Sequence, residues 1–492
     1  MALCLNTVFC FYVMSSNDYF CVKYKQEFIH LTLDKIGEYI TSIADFLCGY
    51  PLFFVLIGGG LYLFISSGAI SIRNIPKALQ QLREKKSNGG SGQITSLQAL
   101  FSVVAATVGM GNIAGVAIAL VLGGPGAIFW MWVSAMVGMA TKYHEGVLAV
   151  KYRHKDSDGT TRGGTMYIIE KGLGAKWKWL AVTFAVAGLF GTLCIMNANQ
   201  LTEAAVSVFT TPDWIENNGV LAYGASLTGM SKVGVLRLFM GITIAFVVAL
   251  VVLGGIKRIA RVATVIVPFM VGIYFLAVAY ILIANFDKVP GALLSIFTEA
   301  FNLRAGFGAL AGIALIGARR AAVVNDAGVG TATIMHSESK NDDAVKEGRV
   351  AMLGPGIDSG FVCTLTAMAL LVCGDFSNVD GVKGLEIAME AFGKGIPWGE
   401  YILMIIVIFF GMSSMFSYSF YGNRCATYLF GEKKARYYTW FFILSLVLFA
   451  VVPLQAAVGL ADLFYALMAI PTMITVIALS SKVRELSKNR PV

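Results

Sequence analysis

From Ser87 to Thr141 the chain carries no charged residue. At about 20 apolar residues per crossing, that run holds two adjacent membrane helices and cannot fold around a soluble core. The rest of the chain agrees, with 57% hydrophobic and only 14% charged residues and a mean hydropathy of +0.72, against roughly a quarter charged in soluble domains. Lipid requires every backbone polar group to be bonded internally, so the fold class is an all-α polytopic membrane protein. The same run contains a conflict. "ATVGMGNIAG", residues 106–115, sets three glycines and an asparagine in the middle of a spanning helix, where glycine is among the worst helix formers.

Eleven segments are long and apolar enough to span: 46–68, 95–122, 124–150, 179–208, 235–254, 259–285, 305–335, 349–374, 399–430, 437–453 and 457–481. Basic residues concentrate in cytoplasmic loops. Here every odd-numbered span exits into a basic loop, from Arg73, Lys77, Arg83, Lys85 and Lys86 after the first to Lys482, Arg484, Lys488 and Arg490 after the last. The even-numbered exits have no such excess. The N-terminus is therefore expected outside and the C-terminus in the cytoplasm. The net charge of +9 is spread over these clusters, which argues against a nucleic-acid surface. The eight cysteines are scattered, with no C-x-x-C and only four dispersed histidines, and read as small buried apolar residues. The first residues lack the basic start and small-residue cleavage motif of a signal peptide.

With the first span set aside as an extra helix (46–68), ten remain, and their even number suggests two inverted halves of five, 95–285 and 305–481. These would lie between an outer segment 1–45 and a cytoplasmic tail 483–492. The first span of each half is rich in glycine: Gly109, Gly111 and Gly115 in one, Gly306, Gly308, Gly312, Gly317, Gly328 and Gly330 in the other. Glycine-interrupted spans at matching positions point to a transporter binding site, because unwound backbone must face ions or substrate rather than lipid. The competing reading is a small-residue face for helix packing.

A break at Gly109–Gly111 frees carbonyls for a small cation, and N–H groups at the positive end of a half-helix for a carboxylate, which suits a zwitterionic amino acid travelling with sodium. Asn112 adds an amide. Asn197, Gln200 and Glu203 recur about one helical turn apart. Ser413, Ser414, Ser417 and Tyr418 offer hydroxyl oxygens, hard donors suited to sodium, although membrane serines also bond their own backbone. Arg319, Arg320, Asn325 and Asp326 fall in the cytoplasmic half of the seventh span and Asp358 lies inside the eighth. Intramembrane charges of this kind pair or face water.

The blocks "TVGMGNIAGVAIAL", "GGPGAIFWMWVSAMVGMATKY", "LAVKYR", "GGTMY", "NDAGVGTATIMH", "GRVAMLGPGIDSGFVCTLTA" and "SYSFYGNRCATYLFG", in this order from about residue 45 to 480, together resemble the alanine or glycine:cation symporter family. The resemblance implies a leucine-transporter-like fold, a 5+5 inverted repeat with one extra N-terminal helix, and sodium-driven uptake of alanine or glycine across the cell (inner) membrane by a monomer without a cofactor. It puts Thr107, Gly109, Met110, Gly111, Asn112, Asn197, Phe307 and Tyr418 at the substrate, and sodium at Ala105, Val108, Asn112, Ser413 and Ser414. It also implies a broken sixth core helix around Gly306, Phe307 and Gly308. The chain departs from the family at Met110, where threonine is usual, at "VNDAG" (324–328) for Ser-Asn-Glu-Ala-Gly, and at Asn423 for glutamate. At Asn197 and Tyr418 it replaces a family glutamine and tryptophan.

A nucleotide-driven pump is disfavoured, since there is no G-x-x-x-x-G-K-[ST]. A membrane enzyme would need convergent acid–base groups, and the nearest candidates, His144 and Glu145, point about 100° apart on a helix. A proton-coupled or altered-substrate carrier and a non-transporting nutrient receptor remain the alternatives, and uptake distinguishes the receptor.

Overall fold

Helix occupies each of the eleven apolar segments in the computed structural model, which describes residues 50–83, 92–155, 161–301, 307–374, 384–452 and 454–488. The segment 1–45, Gly306, and Cys4, Cys10, Cys21 and Cys48 lie outside the described residues. Helix α1 runs Pro51–Ser66. The segment 95–122 forms two helices, α2 (Ser96–Thr107) and α3 (Gly111–Gly123), bent by 59° at their junction. There follow α4 (Gly126–Lys151), α5 (Lys178–Gly191), α6 (Ile195–Phe209), α7 (Lys232–Val252), α8 (Gly255–Ala284) and α9 (Val289–Ala300). Next come α10 (Phe307–Asn325) and α11 (Thr331–His336), then α12 (Ala344–Cys373). The chain continues through α13 (Gly384–Gly395), α14 (Gly399–Phe430), α15 (Glu432–Phe449), α16 (Leu454–Ala478) and α17 (Ser480–Lys488). A two-stranded hairpin, β1 (His154–Lys155) antiparallel to β2 (Thr161–Arg162), is a small departure from the all-helical expectation.

Among the described residues, six helices are long and apolar enough to cross a membrane, or seven with the bent pair counted as one span. Burial separates centre from rim. The most apolar stretch of α14 is 67% buried, whereas those of α7 and α8 are 33% buried, and Phe239, Phe246, Phe269 and Leu276 project outward. Large apolar side chains on an outer face are what lipid-facing helices require. Helix α4 packs most extensively against α10 and α12, and α5 against α16. Gly317 permits the first of these contacts, since a Cβ there would stand 2.2 Å from the Ala127 carbonyl oxygen.

The second broken helix differs from expectation in where it breaks. Phe307 begins an uninterrupted α10 of 19 residues, and the chain unwinds just after it, at Asp326–Gly330, where Asp326 (φ 51°), Gly328 (φ 90°) and Gly330 (φ 90°) all adopt left-handed backbone. That conformation is open to glycine and tolerated by aspartate, so Gly328 and Gly330, among the described glycines of this span, set the break. At the end of the bundle near β1–β2, Glu338 receives Arg424 Nη2 of α14 at 2.5 Å and Gln93 Nε2 at 3.1 Å. The N–H groups of Gln93 and Ile94, just before α2, donate to the Glu338 carbonyl at 2.8 and 3.1 Å. Burial pushes the Glu338 carboxyl above the usual carboxylate range, against the pull of Arg424.

Candidate functional site

Helix α2 starts on a reciprocal cap, with Thr95 Oγ1 accepting from the Gln98 N–H and Gln98 Oε1 from the Thr95 N–H. It stops at Thr107 because Val108 turns extended (ψ 94°). The break leaves the Gly109 N–H without a helical acceptor, costly in a buried apolar setting. Asn112 supplies one: its Oδ1 accepts from Gly109 at 2.8 Å. Its Nδ2 donates to the Asp358 carboxylate and lies 3.5 Å from Cys363 Sγ, both in α12. Asn112 is fully buried and both ends of its amide are occupied, so it acts as a clip holding the break to α12. The sequence had suggested a direct substrate contact.

The second break is held in a similar way. The Gly328 N–H donates to Glu145 Oε1 of α4 at 2.9 Å. Asp326 Oδ2 accepts from Tyr418 Oη at 2.5 Å and from Thr331 Oγ1 at 3.2 Å. Behind it, Lys142 Nζ lies 3.7 Å from Glu145 Oε2, both side chains wholly shielded from solvent. His144, the neighbour of Glu145, bonds the Ala140 carbonyl oxygen instead, so the two diverge as their helical spacing requires.

The two breaks face each other across a cavity of about 130 Å³, well above the roughly 10–15 Å³ that one water needs. Thr107, Gly109, Met110 and Gly111 line it from the first break, Asp326 and Thr331 from the second, Asn197 from α6, and Ser414 and Tyr418 from α14. Six of the eight residues expected at the substrate therefore meet in one space. Asn112 stands behind that wall, and the side chain of Phe307 lies outside the described residues. Of the expected sodium ligands, Ser413 Oγ lies 3.1 Å from the Ala105 carbonyl oxygen and 3.0 Å from the Phe410 carbonyl oxygen, its single O–H able to serve either. Ser414 Oγ donates to Phe410 at 3.1 Å and sits so close to the first break that a Cβ on Gly109 would stand 3.0 Å from it. Val108, completely buried, ends α2 beside them. The sequence places Asp326 in the cytoplasmic half of its span, as an intramembrane charge that pairs or faces water, and singles out no role for Thr331. The signal for both was present in "NDAGVGT", an aspartate followed by two glycines and a hydroxyl.

The sequence profile described as "Sodium:alanine symporter family" matches residues 33–489. The chain is 38% identical to the sodium/alanine symporter AgcS of Methanococcus maripaludis, over 90% of this chain and 95% of that protein. It is 31% identical to the "Probable sodium/glutamine symporter GlnT" of Bacillus subtilis, over 92% of this chain and 90% of the relative. Among solved structures, MhsT in complex with L-phenylalanine shares the fold, with a TM-score of 0.52 and 15% identity, covering 79% of this chain and 89% of MhsT.

Proposed function

The chain belongs to the sodium:alanine symporter family, as a multi-pass membrane transporter of amino acids, and from that premise we propose that it imports alanine or glycine by sodium-coupled symport. The observation that carries the reading is the cavity where two broken helices meet. The substrate carboxylate is held by N–H groups at the start of α3, the positive end of a half-helix. Its ammonium group faces Asp326. Sodium takes the Ala105 carbonyl and the Ser413 hydroxyl, with Val108 and Ser414 completing the oxygen set. Met110, 1% exposed at the cavity wall, stands where the family has a hydroxyl and keeps the pocket suited to a short side chain. The architecture proposed is eleven spans, ten of them in two inverted halves, with the N-terminus outside and the C-terminus in the cytoplasm. Rocking of one bundle against the other exposes the site alternately.

The test is reconstitution in liposomes with labelled alanine, glycine or glutamine and an inward sodium gradient, a proton gradient, or neither. Concentrative uptake of alanine or glycine driven by sodium alone is expected. Uptake driven only by protons, or only of glutamine, overturns the ion or the cargo respectively, and no uptake under any gradient overturns transport of these substrates.

A further inference from the structure

A second cavity, of about 360 Å³, lies away from the transport site, where the ends of α1, α4 and α17 meet the start of α12. Five cations line it: Arg73 and Lys77 from the segment after α1, Arg349 from α12, and Arg484 and Lys488 from α17. No carboxylate lines it. We propose that this cavity is an anion site that binds a phosphate group, either the phosphodiester of an anionic lipid headgroup or free phosphate.

Basic residues at the ends of membrane helices are ordinarily topology signals, splayed into water with no common target. Three features set these apart. They are drawn from three separated parts of the chain into one concave space. Arg349 Nε and Arg484 Nε are shielded from solvent and make no hydrogen bond. The buried imidazole there, His144, spends its Nδ1 hydrogen on the Ala140 carbonyl oxygen, and no lining residue supplies a negative charge to the five cations. Two unpaired buried guanidinium donors call for an acceptor, and five like charges around one space repel unless an anion joins them. Three guanidinium forks with two ammonium groups match a phosphate better than a single carboxylate. The walls are already braced, since Tyr143 Oη and Ser487 Oγ lie 2.7 Å apart and tie α4 to α17.

The position also bears on the source. The cavity begins at Ser66, where α1 ends, and takes in Val483 just beyond α16, so it sits where apolar spans give way to polar chain. Lipid headgroups occupy that level, and basic pockets between spanning helices hold anionic ones. An occupant would join α1, the helix outside the ten-span core, to α4, α12 and α17. The proposal stands apart from the transport reading and does not depend on it.

The test uses the purified full chain in mild detergent, its thermal unfolding followed while phosphatidylglycerol, phosphatidylcholine or inorganic phosphate is titrated in. Phosphatidylglycerol should stabilise the chain and phosphatidylcholine should not. At roughly fivefold per cation, Arg73→Gln/Arg484→Gln should weaken the apparent affinity about 25-fold, while Lys433→Gln/Lys434→Gln, on the exposed start of α15, should leave it unchanged. Should the first pair fail to fold, Lys77→Gln/Lys488→Gln makes the same comparison. Inorganic phosphate that stabilises alone and displaces the lipid effect at millimolar concentration would identify free phosphate as the ligand; a lipid effect indifferent to phosphate would identify the headgroup. Equal stabilisation by phosphatidylcholine, equal response of the pocket variants and the wild type, or no response to either phosphate source overturns the proposal.

Discussion

If Asn112 is a clip rather than a ligand, its replacement should be felt first as stability and in a manner that depends on Asp358. Asn112→Leu nearly preserves volume but strands two buried groups, the Gly109 N–H and the Asp358 carboxylate. An unsatisfied buried donor costs about 1–3 kcal/mol and a charged group more, so the single variant should lose about 3–5 kcal/mol. Asp358→Leu removes the carboxylate and leaves the Gly109 bond in place. In the double variant the stranded charge is gone, so the two losses do not add. The coupling should be about 1.5–3 kcal/mol, the range for a hydrogen bond to a charged group, and above the roughly 0.6 kcal/mol average for hydrogen bonds between membrane helices. Unfolding of all four proteins in one detergent gives the cycle. Additivity to within about 0.5 kcal/mol, the behaviour of independent sites, would refute the clip.

Tyr418→Phe deletes the 2.5 Å bond to Asp326 and should weaken substrate affinity on the order of tenfold with the fold intact; an unchanged KM for uptake would remove this pair from the site. Gly330→Ala puts a Cβ 2.4 Å from Thr165 Oγ1 and 2.6 Å from Thr472 Oγ1 at a φ of 90°, so the variant should lose both stability and transport, and wild-type unfolding would contradict the close packing around the second break. Arg424→Ala takes the cationic partner from Glu338, whose side chain is 1% exposed and keeps the neutral donor Gln93 Nε2, for a loss of about 3 kcal/mol at neutral pH. The loss has a sign in pH. Burial already raises the Glu338 carboxyl, and without Arg424 it rises further, so its protonated form is the one the folded variant favours. Stability linked to a raised folded-state carboxyl is present in acid and lost as pH rises through that value. The gap between wild type and variant should therefore widen with rising pH and close toward acid, and a pH-independent gap would exclude Glu338 as its source.

The first break was legible because its signal is local: three glycines and an amide inside an uncharged run have few explanations in lipid. Six of the residues expected at the substrate converge for the same reason, each lying near a polar or glycine-rich interruption of its own span. The break at Asp326–Gly330 was not legible because composition counts glycines without showing which have left-handed backbone, and in sequence Gly308 looks no different from Gly328 and Gly330. The bond from Asn112 to Asp358 was not legible because the two are 246 residues apart and an amide in isolation does not show which way it faces. The basic cluster after α1 and the basic tail were read separately as orientation signals, and only the packing of α17 against α4 shows that they share one cavity.

Ion and cargo meeting at the first break is the central claim, and binding linkage tests it most directly. The affinity for alanine should be measured with and without sodium, and the affinity for sodium with and without alanine, on the purified protein. Coupling between sites is reciprocal, so both affinities should change by the same factor, within the roughly 5–150-fold usual for coupled sites, and Ser413→Ala should shrink that factor. Alanine binding with the same affinity in sodium and in choline would contradict it.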